Sequence, residues 1–259
     1  MSQQATPART ARLGRVLGPK PRTVGGAVLL LPGGEPVSSR RPSPVVAAAS
    51  VRALGHRLGR AGRAEGLATH VVHYRYRGWN GGEAHLARDA TWAVDEIVRL
   101  YGDVPVCLAG LGMGGRAALH AGGHEAVSSV LALAPWLPEE DVAAAPEPVK
   151  QLAGRQVLIV HGTRDARADP DLSFRLAARI KKANRNVCRF EVHADKHGLN
   201  QYRAEVLALC EDFVMGTLFG RAFSRPVQDA LAAPPPLGLR MPLASGFGAS
   251  LRRRAAGGR

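Results

Sequence analysis

The chain reads as an α/β domain built on a mostly parallel sheet with helices on both faces, and three observations predict this. Short β-branched or Leu-rich runs alternate with helix-length amphipathic stretches along residues 25–220. Several of those runs end in turns rich in Gly, Pro or Asn, as strand ends feeding crossover helices do. The composition, 259 residues with 46% hydrophobic and 22% charged, suits a domain with a sizeable core and excludes collagen, wholesale disorder and a membrane bundle.

The first strand is Ala27–Leu31, ending at Pro32-Gly33-Gly34, and an Ala- and Leu-rich helix follows over about Val45–Arg60. A second strand, about Thr69–Tyr76, runs into Gly78-Trp79-Asn80-Gly81-Gly82. Its helix carries an apolar stripe at Ala90, Val94, Ile97 and Tyr101, leaving Arg88, Asp89, Asp95, Glu96 and Arg99 for the opposite face. Strand Val106–Ala109 then leads through Gly110–Gly115 into a small-residue helix, Arg116–Ala121. Strand Ser129–Leu133 meets Pro135-Trp136, and strand Val157–Val160 meets His161-Gly162-Thr163-Arg164-Asp165. Asp169 as N-cap and Pro170 in the first position open another helix, with Leu172, Leu176 and Ile180 facing inward. In Val187–Val192, Cys188, Phe190 and Val192 alternate with Arg189 and Glu191, which predicts a half-exposed strand near an edge. Val206, Leu209, Cys210 and Phe213 predict a last helix.

No apolar run approaches the roughly 18–20 residues that span a bilayer, and no apolar segment follows the basic N-terminus, so a soluble, cytoplasmic protein is expected. Three cysteines (Cys107, Cys188, Cys210) exclude a disulfide framework and argue against a Cys-based metal site; neither metal nor cofactor is called for. The net charge of +14 is concentrated at the ends. Residues 1–24 hold five basic groups and no acid, and residues 222–259 hold six arginines against Asp229. The expectation is a basic disordered tail over 1–24, a folded domain over 25–220, and a Pro-rich basic tail over 221–259. A weak, salt-sensitive hold on polyanions is the sharper reading of that charge, but no interleaved aromatics or helix-turn-helix pattern points to a specific nucleic acid.

Ligands of open parallel sheets bind at the carboxyl ends of strands, so the turns there carry the chemistry. A strand, a G-x-x-x-G turn (Gly110 to Gly114) and a small-residue helix have the shape of a nucleophile elbow. The stretch Val106–Leu119 resembles the elbow of α/β-hydrolase-fold esterases, lipases and peptidases. His161–Asp165 resembles the strand end that presents the family's catalytic acid, Asp165. His193–Leu199 resembles the loop that presents the catalytic histidine, best matched by His197. Leu31-Pro32-Gly33-Gly34 resembles the oxyanion loop, with Pro where the family usually has His. The likeness covers about residues 25–220. It implies ester, thioester or amide substrates and an oxyanion hole from the amides of Met113 and Gly34.

One departure governs the rest: the centre of the elbow is Gly112, where the family has Ser, less often Cys or Asp. Glycine cannot attack a carbonyl, so no acyl-enzyme forms through this position. What remains expected is a small-molecule carbonyl substrate with Asp165 and His197 retained and water-mediated hydrolysis at best. The alternative is a catalytically inactive member that binds a small ligand. Gly110, Gly112 and Gly115 also spell a dinucleotide fingerprint, but the next strand ends in Leu133-Ala134-Pro135-Trp136 without the acidic residue that reading needs. Ser38 and Ser39 could supply a displaced nucleophile or belong to an exposed loop. Cys107, inside a strand, reads as packing; His161 and His193 read as structural. Trp79 and Trp136 could line a pocket or pack under loops. Only about 20 residues separate Trp136 from Gln156, with Glu139, Glu140 and Asp141 among them, room for a minimal lid but no large cap domain.

Overall fold

The computed structural model describes residues 9–139 and 146–249. Its strands are β1 (Arg12–Leu13), β2 (Gly26–Leu31), β3 (Leu67–His73), β4 (Val106–Leu111), β5 (Val127–Leu133), β6 (Gln156–Gly162), β7 (Val187–Val192) and β8 (Met241–Pro242). They form one sheet in the order β1-β3-β2-β4-β5-β6-β7-β8, and every pairing is parallel except β1 with β3. The helices are α1 (Pro44–Ala61), α2 (His85–Tyr101), α3 (Met113–Ala121), α4 (Pro170–Ala183), α5 (Arg203–Phe219) and α6 (Arg225–Ala232).

The central strands are apolar along their whole length because both faces are covered. In β2, Ala27, Leu29 and Leu31 join the core under α2, α3 and α4, while Val28 and Leu30 join the core under α1, α5 and α6. The period-two alternation of Cβ direction divides one strand between two cores. From β2 the chain steps outward to β3 and then returns past β2 to β4. That reversal opens a crevice at the carboxyl ends of β2 and β4, where the loop after Leu31 and the turn at Gly112 lie.

Two expectations are corrected. Strand β7 is not half-exposed: Arg189 is only 1% exposed. Its guanidinium donates to Ser173 Oγ (3.0 Å), Glu191 Oε1 (2.7 Å), the Leu239 carbonyl (2.9 Å) and the Pro170 carbonyl (3.1 Å). A buried charge persists because each face of the guanidinium fork finds an acceptor. Nor do residues 1–24 and 221–259 behave throughout as tails. The Gly14 amide donates to the Val71 carbonyl (2.8 Å) and the Leu17 amide to the Thr69 carbonyl (2.9 Å), so the basic N-terminal segment covers the open edge of β3. At the other edge α6 packs into the core through Val227 and Ala230, and β8 pairs with β7. Backbone pairing is blind to charge, so a basic composition does not exclude a strand. Arg252, Arg253, Arg254 and Arg259, like Glu140 and Asp141, lie outside the described residues.

Among the described residues, the stretch from β5 to β6 adds only a 3-10 turn at Lys150–Leu152, and no cap domain covers the strand ends. No described helix is long and apolar enough to cross a membrane.

Candidate functional site

Gly112 joins β4 directly to α3, with φ 57° and ψ −119°. That backbone region is open to glycine and strained for other residues. Its amide donates to the Leu133 carbonyl (2.9 Å), and its carbonyl accepts from Gly115, Arg116 and Trp136 (3.0, 3.2 and 3.0 Å). The turn is tight enough to require two more glycines. A Cβ on Gly110 would stand 2.0 Å from the Gly114 carbonyl oxygen, and one on Gly114 would stand 2.1 Å from that of Leu31. The close seating of α3 against β2 and β4 therefore accounts for these glycines without a phosphate. Helix α3 begins at Met113, three residues earlier than the sequence pattern places it.

Asp165, after β6, and His197, after β7, come together. The His197 Nδ1 lies 2.8 Å from Asp165 Oδ2. A carboxylate only accepts, so this bond puts the proton on Nδ1 and leaves Nε2 with a free lone pair. That nitrogen faces the elbow: a Cβ on Gly112 would stand 3.1 Å from His197 Nε2 and 3.4 Å from Cε1.

Asp165 is held from several sides. Its Oδ1 accepts from the amides of Arg167 (2.8 Å) and Ala168 (3.1 Å), and its Oδ2 accepts from His161 Nε2 (3.2 Å) as well as His197. Burial pushes its pKa up, but hydrogen bonds from His161, the Arg167 amide, His197 and the Ala168 amide outweigh that and hold it well below the usual carboxylate range. His161 is fixed in turn by Ser173 Oγ, 2.8 Å from its Nδ1. His193 is exposed, and Asp169 caps α4 by accepting from the Asp171 amide (2.8 Å).

The loop that carries His197 is pinned by Asp195, which lies within His193–Leu199 and to which the sequence assigns no role. Its carboxylate accepts from the amides of Lys196 (2.8 Å) and Tyr202 (3.2 Å), and its carbonyl accepts from Arg164 (2.9 Å). It thereby ties the His197 loop to the Asp165 loop and to the start of α5. The available signal is an Asp between a strand end and a helix start, the residue type that closes such turns.

Gly34 lies against the elbow helix: a Cβ there would stand 2.6 Å from the Arg77 carbonyl oxygen and 3.6 Å from Met113 Cβ. The Glu35 amide donates to that same Arg77 carbonyl (2.9 Å) and fixes the loop. Met113 opens α3, so its amide belongs to the helix turn that has no intrahelical acceptor.

Trp79 and Trp136 serve a different feature. The Arg116 guanidinium lies 4.0 Å from the Trp79 ring centroid and 5.7 Å from that of Trp136. Glu147 accepts from Arg116 (2.5 Å) and sits 2.6 Å from His120 Nε2. Neither tryptophan lines the cavity of about 440 Å³ beside the elbow. That cavity lies between α1 and α5 and is walled by Val51, Leu54, Leu111, Leu133, Leu199 and Val206. Leu111 directly precedes Gly112, and Leu199 closely follows His197, so the cavity adjoins the dyad.

Ser38 and Ser39 lie in the loop after β2. Ser38 exchanges hydrogen bonds with the Asn80 side chain (2.8 and 3.1 Å), and the Ser39 carbonyl accepts from Arg9 (2.5 Å). Cys107 is fully buried and its thiol is pushed up to about 12, first by that burial. Among the described residues no cluster of three or more His, Cys, Asp or Glu side chains is placed to hold a metal ion.

The arrangement thus sets an acceptor nitrogen, His197 Nε2, beside the Gly112 position and next to an apolar cavity. No protein-family model matches the chain, and no curated protein matches it. Solved structures do. An α/β serine hydrolase without lid from Xanthomonas campestris aligns at TM-score 0.55 and 14% identity, over 83% of this chain and 90% of that one. An esterase from Pyrococcus furiosus aligns at TM-score 0.57 and 14% identity, over 75% and 82%. A monoacylglycerol lipase from Paleococcus ferrophilus aligns at TM-score 0.54 and 12% identity, over 80% and 98%. At these identities the likeness establishes the fold: the chain has the α/β-hydrolase fold, without a cap domain among its described residues.

Proposed function

We propose that this protein hydrolyses a small ester-type substrate without forming a covalent intermediate, using His197 as general base on water. The observation that carries the reading is the direction of the His197 ring, with Nδ1 on Asp165 at 2.8 Å and Nε2 turned to the Gly112 position. In a serine hydrolase that nitrogen would take the hydroxyl proton; beside glycine it is free to take one from water. The water oxygen bonds to the carbonyl carbon as its proton passes to Nε2. The amides of Met113 and Gly34 stabilise the oxyanion at the start of α3. Collapse breaks the bond to the leaving group, which recovers the proton from Nε2, and Asp165 stays ionised throughout.

The test is turnover of p-nitrophenyl butyrate, with intact-mass spectrometry of protein quenched during the reaction. The expected result is linear release from the first turnover and an unmodified protein mass. A burst with an acyl adduct would sink the proposal. A second reading, a binding protein on the same scaffold, rests on Gly112 together with the adjoining apolar cavity. Saturable binding of an ester with no product would favour it.

A further inference from the structure

The cavity beside the dyad is apolar along its walls but not at its rim. Arg203 lines it and, among the thirteen residues that do, is the one that carries a charge. It is the first residue of α5, at the helix end whose unsatisfied amides add positive potential. Nearby carboxylates are committed elsewhere: Asp195 to the amides of Lys196 and Tyr202, and Glu205 to the Gly246 amide at 3.1 Å. Among the described residues, Arg203 has no ion-pair partner. The remaining polar groups at the wall, Ser50 and Asn200, are neutral.

Resting on the hydrolytic reading of the site, we infer that the cavity takes an apolar chain ending in a carboxylate, and that the substrate class is a half-ester of a dicarboxylic acid. The ester carbonyl lies at the Gly112 and His197 end. The methylene chain lies along Leu111, Leu133, Leu54 and Val206, and the free carboxylate pairs with Arg203. A volume of about 440 Å³ lies within the range of roughly 300–1,000 Å³ usual for small-molecule pockets. Arginine suits a carboxylate because its planar fork offers two parallel donors. A neutral ester of the same length would gain the walls but leave the guanidinium unpaired.

The experiment is calorimetric titration of the His197→Ala variant, which removes the base and so separates binding from hydrolysis, with monomethyl suberate and with dimethyl suberate at pH 7. The half-ester is expected to bind at least 10-fold more tightly than the diester. Arg203→Ala in the same background should abolish that preference while leaving diester binding within about 2-fold. Because Arg203 is exposed, the substitution spares the core. Ala49→Trp, at the exposed mouth of the cavity, should weaken both ligands and so locate them. Equal affinity for the two ligands, no binding of either, or a preference that survives Arg203→Ala overturns the inference. Half-ester binding that depends on Arg203, combined with absence of hydrolysis by the wild type, would sustain the ligand class and reject only the hydrolytic reading.

Discussion

Two halves of one site differ in what they are made of. At the end of β4 the chain offers only backbone, a glycine at φ 57° whose amide and carbonyl are both spent on the turn. At the ends of β6 and β7 the loops offer a full set of side chains, with Asp165 buried to 0% side-chain exposure and His197 at 24%. The elbow keeps its shape without a side chain because glycine suits its geometry better than any replacement. The half that carries Asp165 and His197 adds side-chain contacts to backbone bonds such as that from the Arg164 amide to the Asp195 carbonyl, so its side chains can be removed one at a time. Asp165 also holds the loop at Arg167 and Ala168, whereas the His197 ring touches Asp165 and faces the elbow. Asp165 thus has structural partners beyond the dyad, whereas among the described residues the His197 ring bonds to Asp165 alone.

The largest effect comes from making the two halves alike. Gly112→Ser places a hydroxyl beside His197 Nε2, and ester turnover should rise by about 10³-fold or more, since loss of such a nucleophile costs about 10⁶. Stoichiometric labelling by a fluorophosphonate, absent in the wild type, is the check; an unlabelled variant would show that the halves are out of register. The same change should cost about 1–3 kcal/mol of stability, because a side chain at this φ is strained. Its Cβ would also stand only 3.1 Å from the His197 ring.

Next in size is the contrast inside the dyad. Asp165→Ala leaves His197 Nδ1 and two buried or half-buried loop amides without their acceptor and should destabilise by about 3 kcal/mol, whereas His197→Ala should cost less than about 1 kcal/mol. Urea unfolding of the two variants decides it, and equal losses would make His197 a structural residue. A smaller effect lies on the far side of α3. Burial works against ionised Glu147, but hydrogen bonds and charge from His120 and Arg116 prevail and hold its pKa down at about 2. A depressed folded pKa contributes stability that is present above the ordinary value of 4.5 and is lost as pH falls toward about 2. Glu147→Gln should therefore flatten the decline in melting temperature across that window while leaving the elbow chemistry unchanged.

The fold is readable in the sequence because alternating apolar runs and stripes report burial directly. The elbow is readable because closely spaced glycines join a strand to a small-residue helix, and the competing dinucleotide reading lacks its acidic residue at the next strand end. Asp165 and His197 are singled out by the resemblance of their loops to those of α/β-hydrolase-fold proteins, and the two side chains meet at 2.8 Å. What escapes is whatever depends on contacts distant in sequence. Arg189 looks like the exposed member of an alternating strand until Ser173, Pro170 and Leu239 converge on it. Trp79 and Trp136 could line a pocket or pack under loops, and nothing in their neighbourhood in sequence announces the Arg116 guanidinium that lies over both rings. Basic composition hides the edge-covering segments at both ends, since the bonds that hold them are made by the backbone.

The most direct measurement is kcat/KM for p-nitrophenyl butyrate with the wild type and His197→Ala, purified in parallel. If His197 is the base that activates water, the variant should lose about 10²-fold or more. Identical rates in the two proteins would contradict the account and leave the oriented histidine without a chemical role.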